Sequence, residues 1–355
     1  MILFKQVESR GSDYKTLLFH HNIHMRNRDH IVDCLHKKGI ETKIVNRFKY
    51  TEELIEWADL IITSGGDGTF LMSASKIKNR DKVIIGVNSD PTRSVGHLCL
   101  PIKYSDRFDQ ALDRILSGQF EWQYRQRIRV TIEGQNALDG PIELHDQQLM
   151  HPECRFFEMD LVKKSPKNDG KKIPNKRRTL PFRALNEVFV GEALSSRVSY
   201  FEIGVNEQEL QKIRSSGITI CTGTGSTSWS FNINKLTPQC VTSIFKIINE
   251  ECFDNQDMLS SKDKALVQKV TDRFNSSLIY DPSKLTMAFT IRDPVVFGTR
   301  FQSNPRDFAN RINLKSRMTD AHIVMDGGLS YPFNDGSRAI FEILPEDALK
   351  TIKLE

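Results

Sequence analysis

At 355 residues the chain exceeds one small core and has the length of two ordinary domains. Its 39% hydrophobic and 27% charged residues are those of a globular protein, and no apolar run approaches the roughly 18 residues of a membrane span. The net charge of +5 is local: residues 163–178 carry eight Lys or Arg and one acid, and without that segment's +7 the remainder stands at −2, which excludes a basic body built for nucleic acid.

The first residues hold neither a secretory apolar core nor an Arg-rich transit pattern, so no targeting address is legible. The six cysteines (Cys34, Cys99, Cys154, Cys221, Cys240, Cys252) are scattered without zinc-site spacing and read as free thiols in a reducing compartment. Residues 16–19 make a short apolar strand, with His20, His21 and His24 as exposed imidazoles at its end rather than a metal cluster. A helix over 30–38 follows, stopped by Gly39. Residues 42–45 read as a second strand, and 51–58 as a helix with Glu52 and Glu53 in the favoured first turn.

Residues 60–64 are an apolar strand that stops at Gly65-Gly66-Asp67-Gly68-Thr69 and resumes as a helix. Glycines let a backbone come close to a ligand, and a turn opening onto a helix start offers free N–H groups to a phosphate. A carboxylate there gains nothing from phosphate, so Asp67 reads as a group that takes a proton or holds a metal; a plain helix cap is the competing reading. Residues 83–87 form another buried strand. Strands and helices in this alternation predict a parallel sheet whose ligands sit beyond the strand C-termini, where both Asp67 and Asn88 fall. The loop that follows, with Asn88, Asp90, Arg93 and His97, is either a surface connection or a binding loop. An amphipathic helix spans 106–118.

From Phe120 the period changes to the alternation of strands. The expected fold class is therefore α/β: an N-terminal parallel α/β domain over 1–118, on which the C-terminal tail packs back, and a C-terminal β-rich, β-sandwich-like domain over 119–355. The second domain carries a basic loop at 163–178, read as a solvated, disordered insertion with attraction of polyanionic substrates or another surface as the competing reading, and a helical insertion at 236–275. Within it, Asn186-Glu187 interrupts an apolar run. A strand edge exposes such a pair harmlessly, and the same pair suits the hydroxyls of a ribose. Residues 218–221 lead into Thr222-Gly223-Thr224-Gly225-Ser226-Thr227-Ser228-Trp229, a second strand and glycine turn. It falls short of a dinucleotide fingerprint, because Ser228 replaces the last glycine and no acid occurs between Gly223 and Glu250. No phosphate loop ending in Gly-Lys-Ser/Thr exists either. Asp326-Gly327-Gly328 and Asn334-Asp335-Gly336 read as structural turns, with an acidic turn beside a nucleotide as the weaker alternative.

Together, Gly65 to Thr69, residues 86–101, Ala184 to Val188, Cys221 to Ser226, Trp229 to Asn234, Asp326 to Gly328 and Phe333 to Gly336 resemble the NAD kinase family, and more closely its mitochondrial branch. The resemblance covers nearly the whole chain in order. It implies transfer of the ATP γ-phosphoryl group to the 2′-hydroxyl of the NAD adenosine ribose. Asp67 then takes the hydroxyl proton, Gly65, Gly66, Gly68 and Thr69 lie along phosphates, and Asn88, Asp90, Arg93 and His97 contribute a binding loop. Asn186 and Glu187 hold the NAD ribose, and Thr222, Gly223, Thr224, Gly225, Ser226, Thr227, Trp229 and Asn232 wall the dinucleotide pocket. Mg²⁺ arrives with ATP rather than on a protein cluster. The resemblance further implies a mitochondrial homodimer that engages neither nucleic acid nor membrane. Ser216, Gly223 and Trp229 stand where most of the family has Asp, Pro and Tyr, as in the mitochondrial branch. The match begins near Gly11, past the family's transit peptide and first core strand, which implies a first sheet one strand short and, if that start is genuine, a cytoplasmic enzyme. A lipid kinase of the diacylglycerol or sphingosine type, which shares GGDGT, and an inactive NAD-binding protein are the alternatives.

Overall fold

The computed structural model describes residues 13–134, 137–144, 176–194, 196–252, 263–295 and 304–355. They fall into two compact units, Met1–Arg125 with Glu346–Glu355, and Gln126–Pro345.

In the first unit, Asp13 accepts hydrogen bonds from the backbone N–H of Lys15 (2.9 Å) and Thr16 (3.4 Å) and so starts a helix, Tyr14–Lys37. Its buried residues Asn27, Ile31, Cys34 and Leu35 recur at helical spacing. The strand expected at 16–19 is therefore helical. Leu17, Leu18 and Phe19 are exposed on it, because a short apolar run specifies neither structure and the cap decides. Residues 42–45 pair with no strand among the described residues, and Ile44 and Val45 stay exposed. Alternation alone does not make a strand when no neighbour supplies the ladder.

The sheet of this unit runs Leu60–Ser64, Val83–Val87, Leu349–Lys353, Glu121–Arg125. Its first three strands are parallel and the last is antiparallel. Phe108, Ala111 and Leu112 of the Phe108–Leu116 helix pack in one core with Ile85, Val87, Ile352 and, from the long helix, Ile31 and Leu35. The alternation after Phe120 is thus the edge strand of the first sheet, paired with the C-terminal strand, and the boundary expected at 118/119 moves to 125/126.

The second unit is two antiparallel sheets. The seven-stranded one is ordered Arg306–Ala309, Met287–Ile291, Ile218–Cys221, Glu187–Glu192, Ala321–Met325, Leu329–Pro332, Ile142–Glu143. The six-stranded one is ordered Lys176–Thr179, Ile128–Gly134, Arg338–Ile343, Arg311–Ser316, Ser199–Val205, Gln211–Ser215. Val188, Val190, Ile218 and Ile220 of one sheet share a core with Val130, Ile203, Ile312 and Phe341 of the other, which makes a sandwich. Most of the basic segment 163–178 lies outside the described residues; its last three, Lys176, Arg177 and Arg178, belong to an edge strand paired with Ile128–Gly134 rather than to a loop. The expected helical insertion consists of Pro238–Cys252 and Lys264–Ser277, joined by a satellite cluster of Val241, Phe245 and Val267.

Candidate functional site

The register of the parallel pair, Ser64 opposite Val87, brings Gly65 and Asn88 out at the same edge of the sheet. Gly66 caps the Asp67–Ser75 helix, so Asp67 sits in its first turn, where a negative charge meets the positive end of the helix dipole. The half-buried carboxylate of Asp67 accepts backbone N–H bonds from His97 (3.1 Å) and Leu98 (2.8 Å), and folds the following loop back over the turn. Each oxygen keeps a further lone pair. Asn88, 1% exposed, ties the same loop from inside: its amide donates to the Ser94 carbonyl (2.8 Å) and its oxygen accepts from Asp90 N–H (3.2 Å). A Cβ on Gly65 would lie 2.8 Å from Thr69 Cβ, whereas one on Gly68 would meet nothing within 4 Å. Gly65 is therefore needed for packing, and Gly68 is not.

A cleft of about 400 Å³ opens beside this turn, lined by Leu17, His20, His21 and His24 of the long helix, by Gly66, and by Asn88, Ser89, Asp90, Arg93 and Ser94 of the loop. His20 Nδ1 lies 2.6 Å from Asp90 Oδ2, and His24 Nδ1 lies 2.9 Å from Ser89 Oγ. Burial alone would raise the Asp90 carboxyl, but hydrogen bonds from Thr92 and His20 outweigh it and hold the group below its usual value. Burial, then the charges of His21 and Arg28, push the His24 imidazole down. The three histidines were invisible as cleft residues in the sequence, because a strand reading gives His20 and His24 no common partner. Four residues apart on a helix, they face one loop.

In the second unit, Asn186 and Glu187 open the Glu187–Glu192 strand at its junction with the second glycine turn. Thr222 N–H donates to the Asn186 carbonyl (2.9 Å), and Thr222 Oγ1 donates to the Leu185 carbonyl while accepting Gly225 N–H (3.2 Å). A Cβ on Gly223 would lie 2.6 Å from the Asp281 carbonyl carbon, and one on Gly225 at 2.6 Å from that of Asn186. Both glycines thus let backbone pack on backbone. Ser226 Oγ bonds the Gly223 carbonyl (2.6 Å), and Thr227 Oγ1 the Thr224 carbonyl (3.3 Å). Trp229, 39% exposed, stands beside Phe189 with ring centroids 5.4 Å apart. Exposed Asn232 is occupied with Ser228 O and Lys235 and serves its own short helix.

Asp326 completes this corner. Its carboxylate accepts the N–H groups of Leu185 (2.8 Å), Asn186 (2.8 Å) and Glu187 (3.1 Å), while its own N–H donates to the Glu187 carbonyl (2.9 Å). Burial pushes Asp326 up to about 6 despite those three donors. Burial, then the charge of Asp326, pushes Glu187 up to about 8. Asn186 Oδ1 and Glu187 Oε2 are buried, and among the described residues neither has a hydrogen-bond partner. The turn is structural, as its sequence suggests, and its Asp326 holds the Asn186-Glu187 pair in place.

No family model matches the chain. The chain is 44% identical over 347 residues to NAD kinase 2, mitochondrial, of Rattus norvegicus, an alignment that spans 98% of this chain and 80% of the relative. It belongs to the NAD kinase family, in the mitochondrial branch. The NAD kinase 2, mitochondrial, of Homo sapiens is 43% identical, over 98% of this chain and 76% of that one. Among solved structures, an NAD kinase from Archaeoglobus fulgidus in complex with ATP superposes with a TM-score of 0.54 at 17% identity, covering 92% of this chain and 88% of that one. Yeast NADH kinase complexed with NADH gives 0.53 at 13% identity, covering 84% of this chain and 62% of that one. These two likenesses establish the NAD kinase fold: a mixed α/β unit followed by antiparallel sheets.

Proposed function

We propose that the chain is an NAD kinase that transfers the ATP γ-phosphoryl group to the 2′-hydroxyl of the NAD adenosine ribose and releases NADP. The observation that carries this reading is the unpartnered Asn186 Oδ1 and Glu187 Oε2, two buried polar atoms on a strand end locked by Asp326. A buried polar atom without a partner costs on the order of 1–3 kcal/mol, which a ribose hydroxyl pair recovers on binding. With its carboxyl pushed up to about 8, Glu187 keeps its proton near neutrality and donates to a ribose oxygen, while Asn186 Oδ1 accepts from a hydroxyl. Thr222 to Thr227 and Trp229 wall the dinucleotide; Gly66, Gly68 and Thr69 lie along phosphates.

Asp67 is the group that takes the 2′-hydroxyl proton. The helix start and the two backbone donors hold its carboxylate in one orientation, so it needs no reorganisation during transfer. Mg²⁺ supplies neutralisation of phosphate charge. Among the described residues no group of three His, Cys, Asp or Glu is placed to hold a metal ion; in this reading Mg²⁺ would arrive on the ATP phosphates. Homodimerisation and a mitochondrial location complete the proposal, the latter supported by the branch to which the relatives named above belong.

Purified protein given NAD, ATP and Mg²⁺ should form NADP in a coupled dehydrogenase assay, and light scattering should give twice the chain mass. An inert wild type, with a folded circular-dichroism spectrum, overturns the enzyme reading. Turnover of diacylglycerol or sphingosine in vesicles without turnover of NAD would replace it.

A further inference from the structure

Resting on that reading, we propose that Arg127 is a positioning residue for the ribose: its buried guanidinium is the counter-charge of Asp326 and, through that carboxylate, sets the strand end at Asn186 and Glu187.

Arg127 is 0% exposed, one of the largest fully buried side chains among the described residues. Arginine stays charged in a protein, and a buried charge is tolerated where an opposite charge meets it. The backbone register identifies that charge. Ile128 N–H donates to the Ala184 carbonyl (2.8 Å) and Ala184 N–H to that of Ile128 (3.1 Å), an antiparallel bridge that sets Arg127 across from Leu185. Leu185 N–H is one of the three donors to Asp326. Burial raises the Asp326 carboxyl, and the N–H groups of Leu185, Asn186 and Glu187, then the charge of Arg127, oppose it. The neighbouring Glu187 carboxyl, pushed up to about 8, keeps its proton at pH 7 and brings no competing negative charge.

Gln126, 5% exposed, fastens the same stretch to the other half of the corner. Its N–H donates to the Pro282 carbonyl (2.8 Å) and its Nε2 to the Ser283 carbonyl (3.2 Å). That segment also seats the second glycine turn: Tyr280 N–H donates to Ser226 Oγ (3.2 Å), and a Cβ on Gly223 would lie 2.8 Å from Pro282 Cα. The Gln126-Arg127 dipeptide therefore joins the turn, through Gln126, to the Asn186-Glu187 pair, through Arg127. A side chain that only filled space there could be replaced by methionine at little cost. A counter-ion could not, because its removal leaves Asp326 charged and alone.

A double-mutant cycle of Arg127→Met and Asp326→Asn, with Arg127→Lys as the charge-conserving control, tests this at pH 7. Each protein is measured by urea denaturation, by calorimetry of NAD binding without ATP, and by NADP formation for separate KM values. Arg127→Met should raise the Kd and KM for NAD about tenfold or more, with the KM for ATP changed less than about twofold. Arg127→Lys should recover most of that loss. In the Asp326→Asn background Arg127→Met should cost nothing further, and the double variant's urea midpoint should lie at or above that of Arg127→Met alone. If Arg127→Met does not fold, a folded double variant supports the pairing and an equally unfolded one overturns it. Additive losses, an Arg127→Lys no better than Arg127→Met, or equal rises in the two KM values also overturn it. A wild type that binds NAD but makes no NADP ends the kinase reading, while the urea cycle and the calorimetry still decide the role of Arg127. One that makes NADP with an additive cycle does the reverse.

Discussion

Asp67 and Asp326 are each an aspartate beside two glycines at the end of an apolar strand, and each carboxylate is engaged by backbone N–H groups. Asp67 takes two donors at an open helix start, beside a glycine with empty space around it. Asp326, at a hairpin turn, takes three donors from residues 185–187 and sits against a second acid, Glu187. The first arrangement leaves lone pairs and room for chemistry. The second spends the carboxylate on holding other residues still. Nearly identical local sequences thus reach opposite ends of the same scale, and enclosure sets the difference.

The largest effect that sharpens this contrast is on stability at Asp326. Asp326→Ala leaves three N–H groups without their acceptor and should cost on the order of 3 kcal/mol by urea denaturation, with NAD binding lost in whatever fraction stays folded. Asp67→Asn removes one acceptor from the His97 and Leu98 pair. It should cost only about 1 kcal/mol while lowering kcat on the order of 10²-fold or more. Equal stability losses at the two positions would break the distinction between clamp and base.

A pH experiment reads the buried pair directly. Glu187 titrates near 4.5 when unfolded and at about 8 in the fold. Between these values the unfolded chain has released a proton that the folded chain retains, so stability falls as pH rises across this window and levels off above it. Asp326, moved from 3.8 to about 6, adds a slope of the same sign over its own window. Glu187→Gln should remove its share, at most about 1.4 kcal/mol per pH unit, and flatten the curve measured by chemical denaturation. A curve unchanged by the substitution would mean that Glu187 is not held protonated.

The two glycine turns give effects of opposite sign, the smaller of them at Gly68. Gly225→Ala drives a Cβ into the Asn186 backbone and should cost about 1–3 kcal/mol. Gly68→Ala meets open space in a helix and should raise stability by about 0.5–1 kcal/mol. A Gly68→Ala protein that is more stable but has a weakened KM for ATP would show that this glycine is there for the ligand alone.

The chain's own order of residues was enough to determine the parallel pair, both glycine turns, the switch to antiparallel strands, the Asn186-Glu187 pair and the family, because each rests on periodicity or on a motif a few residues long. Residues 16–19 and 42–45 were misleading: an apolar run becomes helix or coil according to a cap or a missing neighbour, neither of which lies within the run. Only the tertiary structure decided that His20 and His24 face the 88–94 loop, that the C-terminal strand sits between Val83–Val87 and Glu121–Arg125, and that Asp326 grips a strand 140 residues earlier. Such contacts join groups that share no local pattern, and their energies depend on burial, a property that a position acquires only when the distant chain closes over it.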